Sequence, residues 1–124
     1  MIPFKQRFHG HNSLRFVYKN GQAIRSRLIT VKTIKNPHRK DSRVAVVISK
    51  KILKSAVRRN RIRRRIYEYI RVELPNLNGI YDIVVIITSN ELLSMSFDDI
   101  SKQLNQLFIQ SNILKSKSNI SKNR

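Results

Sequence analysis

The residues of this chain best suited to chemistry form a basic segment from Lys50 to Arg65. Nine of its sixteen residues are lysine or arginine, and none is acidic. Side chains at this density repel one another unless a polyanion lies against them, and arginine predominates, which suits bidentate contacts with phosphate. A helix with incidental surface charge would intersperse glutamate with lysine, but here Glu68 and Glu73 come only after the arginines. The basic segment therefore predicts a phosphate-binding surface.

Residues for covalent catalysis or metal binding are sparse. The chain has no cysteine, and its seven acidic residues are scattered; Asp98 and Asp99 fall in the expected first turn of a helix, where the helix dipole accounts for them. His9 and His11 have a spacing that a metal could use, but no acid lies nearby, and surface histidines are the commoner explanation. With three glycines there is no glycine-rich phosphate loop. We expect no metal site in the protein and no covalent chemistry by the protein itself.

The overall composition fits a partner that is rich in phosphate. The 124 residues include 26 lysines and arginines against 7 acids, a formal charge of +19, and such a charge on so small a protein is typical of nucleic-acid binding. The longest apolar run, Ile83 to Ile87, is far short of the ~20 residues that span a bilayer. The first residues lack the apolar stretch of a signal peptide. We expect one cytoplasmic domain over residues 1–114 and a basic, disordered tail over residues 115–124.

The pattern of apolar residues predicts the elements that position the basic segment. In chain order it indicates a helix at 14–20, strands at 22–34 and 43–49, a helix at about 58–74, a strand at 81–88 and a helix from 97. Gly21 is expected to end the first helix in a left-handed conformation, and Ser49 or Ser55 is expected to cap the second. The order α, β, β, α, β, α predicts an α+β fold, a two-layer sandwich of a small sheet and its covering helices.

The second predicted helix has one face for packing and one for phosphates. The side of the helical wheel opposite its isoleucines carries Arg61, Arg64, Glu68 and Arg71. Arg59 falls on the apolar side, so it either lies in the first turn and reaches sideways or precedes the regular helix. A DNA-binding helix would need base-reading residues and a companion helix, and neither is evident. A basic helix beside a small sheet suits folded RNA, which is recognised largely by shape and backbone.

Three short motifs carry a resemblance to a known family. They are Ser49–Lys50–Lys51, Ala56–Val57 and the block Arg59–Asn60–Arg61–Ile62–Arg63–Arg64. In this order and spacing they resemble the signature of the bacterial ribonuclease P protein component, in which an Arg-Asn-Arg block follows a pair of lysines. Glu73–Leu74–Pro75 and the strand after it match the later part of the family, so the resemblance covers about residues 7–113.

The resemblance implies a fold and a set of partners. The fold is an αββαβα domain with a small central mixed sheet, like the second domain of ribosomal protein S5, in which the second helix joins parallel strands by a left-handed crossover. The implied partners are a catalytic RNA and precursor tRNA, whose 5′ leader the RNA removes with Mg²⁺ held mainly by the RNA subunit and the substrate. The protein subunit of this endoribonuclease is expected to be monomeric, with no membrane partner.

The resemblance and the charge together define the expected site residues. By position, the RNA-facing residues of the family correspond to Lys50, Lys51, Arg59, Asn60, Arg61, Arg63 and Arg64, and the basic segment adds Lys54, Arg58 and Arg65. A leader-binding cleft between the sheet and the first helix is expected at Leu14, Tyr18, Ile29 and Val31. Relatives line this cleft with aromatic residues that stack on bases, and Leu14 departs from that pattern.

Two alternative functions share some of these features. A general RNA-binding or ribosome-associated protein would have a similar charge, and a protein-only nuclease would need a cluster of acids, whereas the acids here are scattered. The ordered spacing of the lysine pair and the Arg-Asn-Arg block favours the ribonuclease P subunit over both. Cleavage of RNA by the protein alone would indicate the nuclease instead.

Overall fold

The structure is a computed structural model that describes residues 11–114, with side chains from residue 14 onward. Its helices and strands are α1 (His11–Asn20), β1 (Gln22–Arg25), β2 (Ile29–Lys35), β3 (Arg43–Ile48), α2 (Ala56–Glu73), β4 (Tyr81–Ile87) and α3 (Phe97–Gln110). Short 3₁₀ turns follow α2 at Leu74–Asn76 and β4 at Asn90–Ser94. The histidine pair proposed as a metal spacing and the tail at 115–124 lie outside the described side chains.

The four strands form one mixed sheet in the order β1-β2-β4-β3. β4 is parallel to β3 and antiparallel to β2, and β1 is antiparallel to β2. Because β3 and β4 are parallel neighbours, the chain must cross over between them, and α2 makes that crossover. The expected α+β class with a small mixed sheet is confirmed. The hand of the crossover and the likeness to the ribosomal protein stay predictions.

The region predicted as one strand at 22–34 is a hairpin of two strands. Ser26 closes the turn: its backbone N–H donates to the carbonyl of Ile29 (2.8 Å), and its hydroxyl accepts from the N–H of Ile29 (3.1 Å). The turn contains no glycine, proline or asparagine, so the usual turn signals are missing from the sequence. The element order is therefore α, β, β, β, α, β, α, with one strand more than predicted.

One face of the sheet forms the hydrophobic core with α2 and α3. Alternate residues of the three longer strands point into it, as strand geometry requires. Those residues are Ile29, Val31, Val44, Val46, Ile48, Ile83, Val85 and Ile87, and the helices contribute Ile62, Ile66, Tyr69, Ile70, Ile100, Leu104, Leu107 and Phe108. The rings of Tyr69 and Phe108 meet edge to face with centroids 5.8 Å apart, which joins the two helices.

α1 lies on the opposite face of the sheet, where Val17 is fully buried. The helix ends before Gly21, whose N–H donates to the carbonyl of Val17 (2.8 Å). Gly21 does not adopt the left-handed conformation that we expected. It is needed for space instead, because a Cβ there would lie 2.6 Å from the Val17 carbonyl oxygen and 3.1 Å from that of Thr33.

Candidate nucleic-acid interface

The basic segment occupies the turn after β3 and the first half of α2. Ser55 is the N-cap of α2, since its hydroxyl accepts a hydrogen bond from the N–H of Arg58 (3.3 Å). Ser49 shapes the preceding turn, and its carbonyl accepts from the N–H groups of Ile52 and Leu53 (3.1 and 3.2 Å). Of the two serines that the sequence offered as caps, Ser55 caps the helix. The turn leaves the side chains of Lys50, Lys51 and Lys54 exposed.

α2 has the two faces that its periodicity predicted. Ile62, Ile66 and Ile70 are fully buried against the sheet and α3. On the opposite side, Arg58, Arg61 and Arg64 are exposed, one turn apart from one another. We call these three arginines, together with Lys50, Lys51 and Lys54, the arginine face.

Arg59 holds the start of α2 to the turn before it. Its Nη1 donates to the backbone carbonyls of Leu53 (2.9 Å) and Lys54 (2.8 Å), and its side chain is half-buried. Of the two arrangements that the sequence left open, the structure has Arg59 in the first turn and reaching sideways. The guanidinium has three further N–H donors on Nε and Nη2, and these are available to a phosphate group.

Arg65 and Arg63 also make contacts within the protein. Arg65 donates from Nη1 to the carbonyl of Met95 (2.7 Å) and so holds α2 to the turn before α3. Arg63 donates from Nη1 to the side-chain oxygen of Asn60 one turn earlier (3.1 Å). Asn60 therefore orients Arg63, and its own side chain is exposed. The ten predicted RNA-binding residues thus divide into exposed cations and residues that position them.

The charge of the arginine face is not neutralised by the rest of the described chain. Within residues 14–114, no carboxylate forms an ion pair with any of its six side chains. The first turn of α2 contains no acid, so the positive end of the helix dipole adds to the same field. The face ends where Arg71 pairs with Glu68, and the hydrogen bond from Arg71 lowers the pKa of that carboxyl group. Along α2, the positive charge without a paired carboxylate is therefore concentrated in the first half of the helix.

Two of the four residues predicted for the leader cleft are in the core instead. Ile29 and Val31 are both fully buried on the sheet face that packs against α2 and α3. The prediction was wrong by one residue, because side chains alternate along a strand and a shift of one position moves them all to the other face. Thr30, Lys32 and Ile34 are the residues of β2 on the side where α1 lies; Thr30 is buried, and the other two are half-buried.

The other two predicted cleft residues, Leu14 and Tyr18, do lie at the junction of α1 and the sheet. Leu14 is half-buried and Tyr18 is 39% exposed. Lys32 donates from Nζ to the backbone carbonyl of Tyr18 (3.0 Å) and lies 5.1 Å from the centroid of its ring, within range of a cation–π contact. Partial burial raises the pKa of the Tyr18 hydroxyl.

The floor of this cleft consists of residues that sequence reasoning missed. Ala45, Val47 and Ile86 lie on the same sheet face as Lys32 and are half-buried, and the pairing places Val47 opposite Ile86. We define the cleft by these three residues with Tyr18, Leu14 and Lys32. Recognising the turn at Ser26 would have fixed the phase of β2 and identified Lys32 from the sequence.

The described residues contain no group of three or more histidine, cysteine or acidic side chains placed to hold a metal ion. None of the helices in this part of the chain is long and apolar enough to cross a membrane.

Comparisons with known proteins agree with this geometry. The sequence model of the family described as Ribonuclease P matches residues 2–112. The ribonuclease P protein component of Staphylococcus epidermidis is 35% identical over 107 residues, which cover 86% of this chain and 83% of that protein. The solved structure of the Staphylococcus aureus RNase P protein has a TM-score of 0.80 at 25% identity, covering 89% of this chain and 98% of its own. That of Thermotoga maritima has a TM-score of 0.70 at 25% identity, covering 82% and 94%. The chain therefore belongs to the ribonuclease P protein family.

Proposed function

We propose that this chain is the protein subunit of a ribonuclease P ribonucleoprotein, in which it binds the catalytic RNA and the 5′ leader of precursor tRNA. The observation that carries the proposal is the arginine face: six exposed cations that no carboxylate of the described residues neutralises. Four of its residues, Lys50, Lys51, Arg61 and Arg64, stand at positions of the family's signature motif. The core holds in place the helix that carries its arginines. The single domain that we propose for residues 1–114 would act as a monomer in the cytoplasm.

The arginine face would bind the RNA subunit through its phosphates. Each cation that neutralises a phosphate releases condensed counterions, which favours association most strongly at low salt. Arg58, Arg61 and Arg64 follow one another along a rigid helix, so they would contact neighbouring phosphates of one backbone rather than scattered points. The half-buried Arg59 and Arg65 would act chiefly by fixing the position of this helix.

The cleft between α1 and the sheet would hold the leader. Unpaired bases stack on aromatic rings, and Tyr18 offers the exposed ring of the cleft. Lys32 beside it would contact a leader phosphate, and the apolar floor at Val47 and Ile86 would pack against a base or ribose. With fewer aromatic residues than its relatives, this cleft would bind the leader through one stacked base and one phosphate contact.

The RNA subunit would carry the chemistry. We propose that Mg²⁺ is held mainly by the RNA subunit and the substrate, where it would supply an activated water for hydrolysis of the phosphodiester at the leader junction. The protein would raise the rate by holding precursor tRNA in the correct orientation and by screening repulsion between two RNA molecules. No side chain of the protein needs to act as acid or base in this mechanism.

Cleavage of precursor tRNA tests the proposal. The rate is measured at near-physiological Mg²⁺ with the cognate catalytic RNA alone, with this protein alone and with both. We expect a strong gain only when both are present, and the charge-reduced variant described in the Discussion should lose part of that gain. No gain, together with equally tight binding to unrelated RNAs, would instead support a general RNA-binding or ribosome-associated protein.

A further inference from the structure

A row of cross-strand neighbours extends from the leader cleft across the sheet to β1. Val47 lies opposite Ile86, and Ile86 lies opposite Thr30. Thr30 in turn lies opposite Arg25. Cross-strand partners point to the same face of a sheet, so all four side chains are on the face that carries α1. Val47 and Ile86 belong to the floor of the cleft, whereas Arg25 is exposed on the edge strand. We call these four residues the cross-strand row.

α1 lies beside the cross-strand row and does not separate it from Tyr18. Successive residues of a helix are about 100° apart, so Tyr18 and Phe16 project to opposite sides of the buried Val17. Phe16 lines a groove with Ile34, which is four residues beyond the row along β2. The ring of Tyr18 lies over Lys32, which is two residues beyond the row on the same face. Tyr18 is therefore on the side of α1 that faces the row.

Arg25 is a cation that the described part of the protein does not neutralise. Within residues 14–114 its guanidinium group forms no hydrogen bond and no ion pair. Lys32 is its diagonal neighbour across the β1–β2 pair, a separation of about 7–8 Å between backbones, and neither strand contains an acid. The other arginine of this hairpin, Arg27, is paired with Glu91 in the turn after β4. Arg25 and Lys32 therefore place two positive charges beside the exposed ring of Tyr18.

We propose that Arg25 binds a phosphate of the precursor-tRNA leader beyond the nucleotide that stacks on Tyr18, so that the leader crosses the strands along the cross-strand row. This inference rests on the proposed function. Cations that follow the backbone beside a ring that takes a base are typical of sites for single strands, whereas the bases of a duplex are not free to stack. The row spans three inter-strand spacings, about 14 Å at ~4.8 Å each.

The direction of the leader follows from the position of the arginine face. The β3 end of the row is three residues before Lys50, which belongs to that face. The RNA bound there would carry the chemistry, so the leader nucleotides nearest the cleaved bond would lie at the β3 end. Nucleotides closer to the 5′ end of the leader would then reach Arg25, and a very short leader would not.

The test measures the affinity of the holoenzyme for precursors with a leader of about two and of about eight nucleotides, the longer one within the range that small single-strand sites hold. Arg25→Gln removes the charge at similar side-chain length, and Arg25→Lys keeps it. The control, Arg27→Gln, removes an arginine from the same hairpin whose side chain is directed to Glu91 instead. Thermal melts establish that each variant is folded, and affinity for the catalytic RNA alone is measured in parallel.

For the long leader, we expect Arg25→Gln to lower the salt slope by about 0.7, the contribution of one phosphate of a single strand, and to weaken binding about fivefold at about 0.1 M salt. Arg25→Lys should keep the slope of the wild-type protein. Binding of the short-leader precursor should be unchanged in both variants, and Arg27→Gln should change neither precursor. A long leader with uncharged methylphosphonates in place of its 5′ phosphates tests the contact directly, because the wild-type protein and Arg25→Gln should bind it equally.

Several results would overturn the inference. They are no loss for Arg25→Gln, equal losses for both leaders, an equal loss for Arg27→Gln, and a difference between wild type and Arg25→Gln that persists on the methylphosphonate leader. A loss of affinity for the catalytic RNA alone would also overturn it, since Arg25 would then contact that RNA. Failure of the wild-type protein to bind the catalytic RNA would instead refute the proposed function.

Discussion

Removing two charges from the arginine face should change how RNA binding responds to salt. Arg61 and Arg64 are exposed on one side of α2, and within residues 14–114 neither forms a hydrogen bond or an ion pair with another side chain. Each contact with a phosphate of helical nucleic acid contributes about 0.9 to the slope of log affinity against log salt. The variant Arg61→Ala/Arg64→Ala should therefore have a slope smaller by about 1.8 than that of the wild-type protein.

This difference in slope is large enough to measure directly. For a fourfold rise in salt, the affinity of the wild-type protein for the catalytic RNA should fall about twelvefold more than that of the variant. The assay is a titration of labelled catalytic RNA at several potassium concentrations with Mg²⁺ held constant. Lys19→Ala/Lys102→Ala serves as the control, because it carries the same net charge and leaves the arginine face intact.

Loss of fold does not account for the expected effect. Alanine has the highest helix propensity, and the two arginines have no partner in the described protein that would be left unsatisfied. The free energy of unfolding of the double variant should therefore stay within about 0.5 kcal/mol of the wild-type value. If variant and control have the same salt slope as the wild-type protein, the arginine face does not lie against RNA phosphates and the proposed interface is wrong.

Three further substitutions test other parts of the structure. Tyr18→Ala should lower holoenzyme affinity for precursor tRNA by about 1–3 kcal/mol through loss of a stacked base. An equal loss for mature tRNA, which lacks a leader, would mean that Tyr18 does not stack on the leader. Arg59→Ala removes two hydrogen bonds to the backbone carbonyls that precede α2. The free energy of unfolding, measured by urea denaturation, should therefore fall by about 1–2 kcal/mol. An unchanged value would mean that these hydrogen bonds do not stabilise the start of α2. Gly21→Ala puts a Cβ 2.6 Å from a backbone oxygen and should lower the melting temperature, whereas an unchanged melting temperature would contradict that close approach.

The arginine face could be predicted from sequence because α2 is long and strongly periodic. Isoleucines recur at helical spacing over several turns, so the phase of the helix, and with it the exposure of Arg61 and Arg64, follows from the sequence alone. What the sequence could not provide is the role of Arg59 and Arg65. Their acceptors are backbone carbonyls, which every residue has, and the carbonyl that Arg65 reaches belongs to Met95, 30 residues away.

The leader cleft could not be predicted correctly because β2 has no clear alternation. Its sequence has apolar residues on both faces, with Ile29 and Val31 on one face and Ile34 on the other. Both faces can carry apolar residues because α2 and α3 cover one face of the sheet and α1 covers part of the other. Either phase therefore satisfies the pattern of a half-buried strand. The hairpin at Ser26 added to the error, because its turn is closed by a serine hydroxyl rather than by glycine or proline.

The basic block contains both the exposed cations of the proposed RNA-binding surface and residues that hold α2 in place. Exposed arginines on successive turns repel one another and are also repelled by the positive end of the α2 dipole. The surface proposed to bind RNA therefore destabilises the helix that carries it. Burial of Ile62 and Ile66 offsets part of that cost. Arg59 and Arg65 also stabilise the helix locally, because their guanidinium groups donate to backbone carbonyl oxygens, where a positive charge is favourable. These two arginines thus support the fold of the proposed interface, whereas the exposed arginines beside them are the ones proposed to bind phosphate.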